Sequence, residues 1–173
     1  MILNKVIEIQ TERLVIRTMP LNFISEILNE NVDAYKHIGV KANEEWPSSD
    51  IKPVLPMFKR QLENKMPEEY GPWIYIDKMD NTIIGDGGFM GAPSAAGEID
   101  IGYNIIESKR NLGYGYEAAK ALIDWAFSKE GVKVVKADCL KDNVPSINLL
   151  KKVGMIKISE DKELFYFHLK KEE

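Results

Sequence analysis

The stretch Glu98-Ile99-Asp100-Ile101-Gly102-Tyr103-Asn104-Ile105, followed after three residues by Lys109-Arg110-Asn111-Leu112-Gly113-Tyr114-Gly115-Tyr116, decides how this chain is read. Its first half alternates: Ile99, Ile101, Tyr103 and Ile105 share one face, and Glu98, Asp100, Gly102 and Asn104 share the other. Side chains in a strand point to opposite faces in turn, so residues 97–105 predict a half-buried strand. Beyond the glycines the period becomes helical. Ala118, Leu122 and Ala126, with Ala119, Ile123 and Phe127, form a stripe on a helix running to about residue 129. A strand therefore meets a helix across a turn holding Gly113 and Gly115.

That turn admits two readings. Glycines in a connection often do no more than shape it. However, two glycines at i and i+2 also let a ligand approach the backbone where no Cβ intervenes. The first amides of the helix are unpaired and its dipole is positive there, which makes an anion site. Lys109 and Arg110 add two cations at the edge, so the physical expectation is a phosphate or pyrophosphate cradle. Position 118, where a dinucleotide fingerprint has its third glycine, is alanine, which some fingerprints allow; the stronger point is that the dinucleotide fold opens with its glycine turn. Here the turn comes late. No Gly-Lys-Ser/Thr follows, so a nucleotide P-loop is excluded as well.

Outward from this centre, residues 73–77 and 82–90 read as strands joined by a turn at Asp80-Asn81. A strand over 133–140, a short helix over 145–153 and a hairpin around Asp161-Lys162 complete the C-terminal side. On the N-terminal side, residues 11–18 predict a first strand closed by Pro20, and residues 21–66 predict helix in pieces. Ile51, Leu55, Phe58 and Leu62 mark one helical face, with Pro53 and Pro56 in its first turns. The order predicts an α/β (α+β) fold: one layered domain across residues 1–173, with a central mixed, mostly antiparallel sheet flanked by helices.

Composition agrees. The chain has 173 residues, 45% hydrophobic and 29% charged, enough for one core without staples. The net charge of −4 argues against general nucleic-acid or anionic-membrane binding. No apolar run approaches the roughly 18 residues of a membrane span. The opening Met1-Ile2-Leu3-Asn4-Lys5 lacks the sections of a signal peptide. With Cys139 as the single cysteine, the expected setting is reducing and cytoplasmic.

At this point the sequence resembles the GNAT superfamily of N-acetyltransferases. Arg110-x-x-Gly113-x-Gly115 matches the family's acetyl-CoA motif, and residues 98–103 look like the strand before it. Asn143-x-x-Ser146 with Gly154-Met155 looks like its second conserved block. Thr11-Glu12-Arg13-Leu14-Val15-Ile16-Arg17 is similar to the first strand of the ribosomal-protein N-terminal acetyltransferases. The resemblance implies acetyl-CoA as cosubstrate, a primary amine as acceptor (a protein N-terminus, or a small amine such as a polyamine or antibiotic) and a homodimer. It implies that backbone amides of Arg110, Asn111, Leu112, Gly113, Tyr114, Gly115 and Tyr116 bind pyrophosphate. Main-chain groups of Asn104, Ile105 and Ile106 would pair with the pantetheine arm like an added strand. Asn143 would hydrogen-bond that arm, and Ser146 would sit beside the sulfur. Many members carry tyrosine where this chain has Leu150, so the leaving thiolate's proton would fall to Ser146.

The family's direct attack, without an acyl-enzyme, suits a chain whose Cys139 has no histidine neighbour. His37 and His168 lie in unrelated segments, and no His/Cys/Asp cluster has metal-ligand spacing, so no metal is expected. Glu98 and Asp100 share a strand face about 7 Å apart. Either could take the amine's proton, Asp100 being favoured by its place before Gly102-Tyr103, or both could simply face solvent. Ser146 has a second reading as a helix cap after Pro145. Lys151 and Lys152 either reach the adenosine 3′-phosphate or lie solvated.

Overall fold

A computed structural model describes residues 5–173; Met1–Asn4, which bore on a leader peptide, lie outside it. Eight strands form one sheet in the order β1-β2-β3-β4-β5-β6-β8-β7. They are β1 (Glu8–Gln10), β2 (Leu14–Thr18), β3 (Pro72–Asp77), β4 (Thr82–Phe89), β5 (Glu98–Ile105), β6 (Val134–Leu140), β7 (Ile156–Glu160) and β8 (Leu164–Lys170). Every pairing is antiparallel except β5 with β6. The mixed, mostly antiparallel sheet is the one predicted.

Among the described residues five α-helices accompany the sheet: α1 (Leu21–Leu28), α2 (Ala34–His37), α3 (Leu55–Glu63), α4 (Tyr114–Phe127) and α5 (Val144–Lys152). The α4 stripe buries Ala118, Ala119, Leu122, Ile123 and Ala126 as predicted. Its alanines let the helix lie close over β2 and β5. On the opposite face, Arg17 of β2 reaches the Ile38 carbonyl at 2.8 Å, so the α1–α3 segment covers that side. No helix among the described residues is long and apolar enough to cross a membrane.

Two differences from the sequence reading have clear causes. Strand β1 was not anticipated, because three residues with one apolar member, Ile9, carry no usable period. Helix α3 starts at Leu55 rather than near residue 51; residues 51–54 form turns instead, with the Val54 and Leu55 amides donating to the Ile51 carbonyl at 3.0 and 3.1 Å, and Pro56 sits in the helix's first turn. Ile51 is nonetheless buried with Leu55, Phe58 and Leu62.

On the α4 face the Tyr75 hydroxyl is buried without a hydrogen-bond partner among the described residues. An unpaired buried hydroxyl costs stability. Tyr75→Phe is therefore expected to stabilise the protein by about 1 kcal/mol, read as a higher denaturation midpoint with an unchanged m value. An unchanged or lower midpoint would mean the hydroxyl has a partner after all.

Candidate active site

After β5 the chain makes a 3-10 turn, Glu107–Lys109, and then two left-handed residues, Asn111 at φ 61° and Gly113 at φ 85°. Gly113 caps α4, and the first helical bond runs from the Glu117 amide to the Gly113 carbonyl at 3.1 Å. The amides of Tyr114, Gly115 and Tyr116 thus have no carbonyl one turn back. Those of Asn111, Leu112 and Gly113 also donate to nothing among the described residues. Six successive open amides line the turn. Gly115 has ordinary helical backbone; an added Cβ would lie 3.0 Å from Leu149 Cδ1 and 3.6 Å from Ile105 Cγ1. The two glycines differ in purpose, one for its dihedral and one for close approach.

The turn is braced from behind. Arg13 donates to the Leu112 carbonyl at 2.9 Å, pairs with Glu117 at 2.7 Å and lies 4.0 Å over the Tyr114 ring. Asp77, 2% exposed, accepts from Lys109 Nζ at 3.0 Å, the Tyr114 hydroxyl at 3.2 Å and the Met79 amide at 3.0 Å. Burial opposes its ionisation, but the Met79 amide, Lys109 and Tyr114 outweigh it and hold the carboxyl below its usual range. Lys109, expected as a free cation beside the turn, is held by this carboxylate. Arg110 donates through Nε to the Ile105 carbonyl at 2.8 Å, so the cations left at the cleft are the rest of its guanidinium and Lys152.

A cleft of about 950 Å³ runs from this turn between β5 and α5. It opens because β5 and β6 pair only over Glu98–Val134, Ile99–Val135 and Asp100–Lys136 and then diverge. Of the three main-chain partners expected for a pantetheine arm, the parity corrects two. The Ile106 amide donates to the Ile84 carbonyl and the Met90 amide to the Asp100 carbonyl, so Asn104, of the same parity, also turns its main chain to β4. Ile101, Tyr103 and Ile105 face the gap instead, with the Ile105 carbonyl already receiving Arg110.

Asn143, not Ser146, caps α5: its Oδ1 accepts the Ser146 amide at 3.2 Å. Ser146 lines the cleft, and its carbonyl receives the Tyr103 hydroxyl at 3.5 Å. Burial pushes the Tyr103 phenol up, and its hydrogen bond to Ser146 draws it partly back. Leu150 is buried and offers no proton. Cys139 is buried, and burial with the Asp138 charge pushes its thiol up, against use as a thiolate. His37 pairs with Glu26 at 2.7 Å. No group of three or more His, Cys, Asp or Glu among the described residues could hold a metal ion.

Glu98 and Asp100 are not brought to the cleft. Glu98 pairs with Lys136 at 3.2 Å, Asp100 is exposed, and neither lines the cavity. Both lie where the parallel pair is still closed; Asp100 is four residues, roughly 13 Å, from the cleft-lining Asn104. A buried carboxylate that sequence reasoning passed over is Asp86 on β4, cross-strand from the cleft-lining Asn104 and not itself part of the cavity wall. It is 5% exposed, and its Oδ2 accepts Trp46 Nε1 at 2.8 Å. Burial pushes it up to about 6, against the Trp46 hydrogen bond and with the help of the Asp50 charge. Its signal was a lone carboxylate in the run Ile83-Ile84-Gly85-Asp86-Gly87-Gly88-Phe89, where a central strand has no use for a charge.

Comparison with known proteins agrees with this geometry. A family model described as an acetyltransferase (GNAT) domain matches residues 13–156. A Bacillus subtilis (strain 168) protein named N-acetyltransferase YjdG is 36% identical over 149 residues, covering 86% of this chain and 89% of that one. Two solved structures share the fold. A ribosomal-protein-S5-alanine acetyltransferase from Vibrio fischeri has a TM-score of 0.66 at 16% identity, covering 95% of this chain and 96% of its own. A spermidine N-acetyltransferase chimera with Vibrio cholerae sequence has a TM-score of 0.64 at 12% identity, covering 92% and 96%. With its open amide turn, its parted strands and a family match over most of its length, the chain belongs to the GNAT N-acetyltransferases.

Proposed function

We propose that the protein moves an acetyl group from acetyl-CoA to a primary amine, foremost a protein N-terminal amine, by direct attack. The observation that carries this reading is the row of six open amides at the mouth of the parted strands. Amides in series at a helix start suit a pyrophosphate, and a strand edge with outward main-chain groups suits an amide-bearing arm. Asn111, Leu112, Gly113, Tyr114, Gly115 and Tyr116 would hold the diphosphate by their amides, with Arg110 and Lys152 supplying charge. Tyr103 and Ile105 would meet the arm, and the free side-chain amide of Asn143 lies at the cleft wall. Acetyl-CoA supplies the activated thioester. This chain must supply a place for a neutral amine and a proton for the departing sulfur, and the Ser146 hydroxyl is the group assigned to the latter. The protein-terminus acceptor rests on the first-strand resemblance and on a fold shared with a ribosomal-protein acetyltransferase.

The test is thiol release from acetyl-CoA with N-terminal peptides, polyamines and aminoglycosides as acceptors. Release with peptides is expected. Release with polyamines alone would replace the acceptor class, and stoichiometric acetyl-CoA binding without amine-dependent release would make the domain a sensor. Within the same assay Ser146→Ala should lower kcat about 10²-fold and leave acetyl-CoA affinity unchanged, because proton donation matters in the transition state. Unchanged kcat, with chemistry rate-limiting, would remove Ser146 from the reaction.

A further inference from the structure

The chain entering β2 reaches the amide turn from a position 99 residues away in sequence. Glu117, in the first turn of α4, accepts the Thr11 hydroxyl at 2.6 Å, the Arg13 amide at 2.8 Å and Arg13 Nε at 2.7 Å. Burial opposes ionisation of Glu117, but the Thr11 hydroxyl and both Arg13 donors outweigh it and hold the carboxyl below its usual range. With Nε fixed by a charged partner, the rigid guanidinium fork has a set direction. Its Nη1 meets the Leu112 carbonyl at 2.9 Å, and the Tyr114 ring supports its face, 4.0 Å from Cζ.

The carbonyl held in this way belongs to the peptide whose other end is the Gly113 amide. In a trans peptide these two groups point in opposite directions. Arg13 is absent from the cleft wall and lines a second cavity of about 770 Å³, between α4 and the turn from β1 to β2. Gly113 lines both cavities. A carbonyl drawn toward Arg13 therefore turns the Gly113 N–H toward the cleft. The hold matters at this place. Leu112 is 55% exposed, Gly113 stands at φ 85°, and glycine adopts either sign of φ with similar ease. Left alone, the peptide between them could turn over at little cost. An added Cβ at Gly113 would lie 3.2 Å from Arg13 Nη2, so the glycine also lets the guanidinium close on the backbone.

We propose that Arg13 is a positioning residue for the diphosphate of acetyl-CoA: through the Leu112 carbonyl it keeps the Gly113 amide aimed into the cleft before the cosubstrate arrives. This rests on the acetyl-CoA reading above. The role is indirect, because the guanidinium stands behind the turn and is paired with Glu117. Preorganisation of this kind removes part of the ordering cost of binding. Its loss is felt by ligands that carry a diphosphate and not by those that lack one.

The experiment compares wild type, Arg13→Gln and the double variant Arg13→Gln/Glu117→Gln by titration calorimetry with acetyl-CoA, at low salt and at about 1 M salt. Amine-dependent thiol release from acetyl-pantetheine, a thioester without diphosphate, is measured alongside, and a thermal melt checks that each variant folds. In the single variant the Thr11 hydroxyl and the residue-13 amide still hold Glu117, so β2 keeps its tether to α4. Arg13→Gln should weaken acetyl-CoA binding about 10–30-fold, part of it repulsion from the uncovered Glu117 carboxylate. In the double variant both charges leave together, and a loss of about tenfold should remain. That ratio to wild type should persist at about 1 M salt, where the Debye length is about 3 Å. For both variants kcat/KM with acetyl-pantetheine should stay within twofold of wild type. A folded double variant with wild-type acetyl-CoA affinity would overturn the proposal alone. So would a loss that high salt abolishes, or one that acetyl-pantetheine shares. A wild type that binds no acetyl-CoA would overturn the underlying reading and the positioning role with it.

Discussion

Gly115→Val is expected to weaken acetyl-CoA binding about a hundredfold in a protein that still folds. Gly115 lies inside the first turn of α4 with no left-handed dihedral, so a side chain is not excluded by the backbone. The obstacle is space. The first added carbon would already lie 3.0 Å from the tip of Leu149, and the branched γ carbons would extend further into the channel between α5 and β5. Leu149 is the flexible end of a side chain on the cleft wall and can shift, so overpacking should cost about 1–3 kcal/mol of stability. Access to the amides on either side is lost, and each hydrogen bond to a charged phosphate oxygen is worth about 1.5–3 kcal/mol. Losing one or two of them gives the expected factor. The measurement is titration calorimetry with acetyl-CoA beside a thermal melt. Undiminished affinity in a folded variant would place the diphosphate elsewhere.

Asp86→Asn should make the protein more stable at neutral pH. In the unfolded chain this carboxyl titrates near 3.8, and in the folded protein near 6. Between those values the native state holds the proton more tightly than the unfolded chain does, so stability falls as pH rises through this window and is flat above it. About two pKa units correspond to roughly 3 kcal/mol lost by pH 7 and above. An asparagine keeps the shape and an oxygen for Trp46 without the buried charge. Melts of wild type and variant at pH 5 and 7.5 should show the variant's advantage growing with pH, by about 6–12 °C at the upper value. A wild type whose melting temperature rises instead between those pH values, relative to the variant, would show that Asp86 is stabilised as an anion.

What could be read in advance follows from which signals are local. The alternation of Ile99, Ile101, Tyr103 and Ile105 and the helical stripe around Leu122 are short-range patterns, and both elements came out nearly in register. The Gly113–Gly115 turn was legible because its chemistry lies in the backbone itself. Which main-chain groups face the gap was not, since that depends on the pairing phase of β5 with β4, set by residues far apart in sequence. The choice of Glu98 and Asp100 failed to reach the cleft for a related reason. Where β5 and β6 part company is a property of the sheet, not of the strand. The burial of Asp86 depends on Trp46, 40 residues away, and was hidden for the same reason. The Lys109–Asp77 pairing spans 32 residues and was equally hidden.

The narrow joint between β5 and β6 also has a mechanical meaning. Five strands on one side and three on the other are laced by only three residue pairs, so the plate carries a notch whose tip lies at Asp100 and Lys136. Stress from any relative tilt of the two halves concentrates at that tip, where Lys136 reaches back to Glu98 and acts as a rivet. Glu98 and Lys136, chosen or passed over as chemistry, thus stop a crack. A molecule lying in the notch and bonding to the free edge of β5 would blunt it, adding to the three residue pairs a second coupling of the C-terminal hairpin to the rest of the sheet that lasts while the molecule is there.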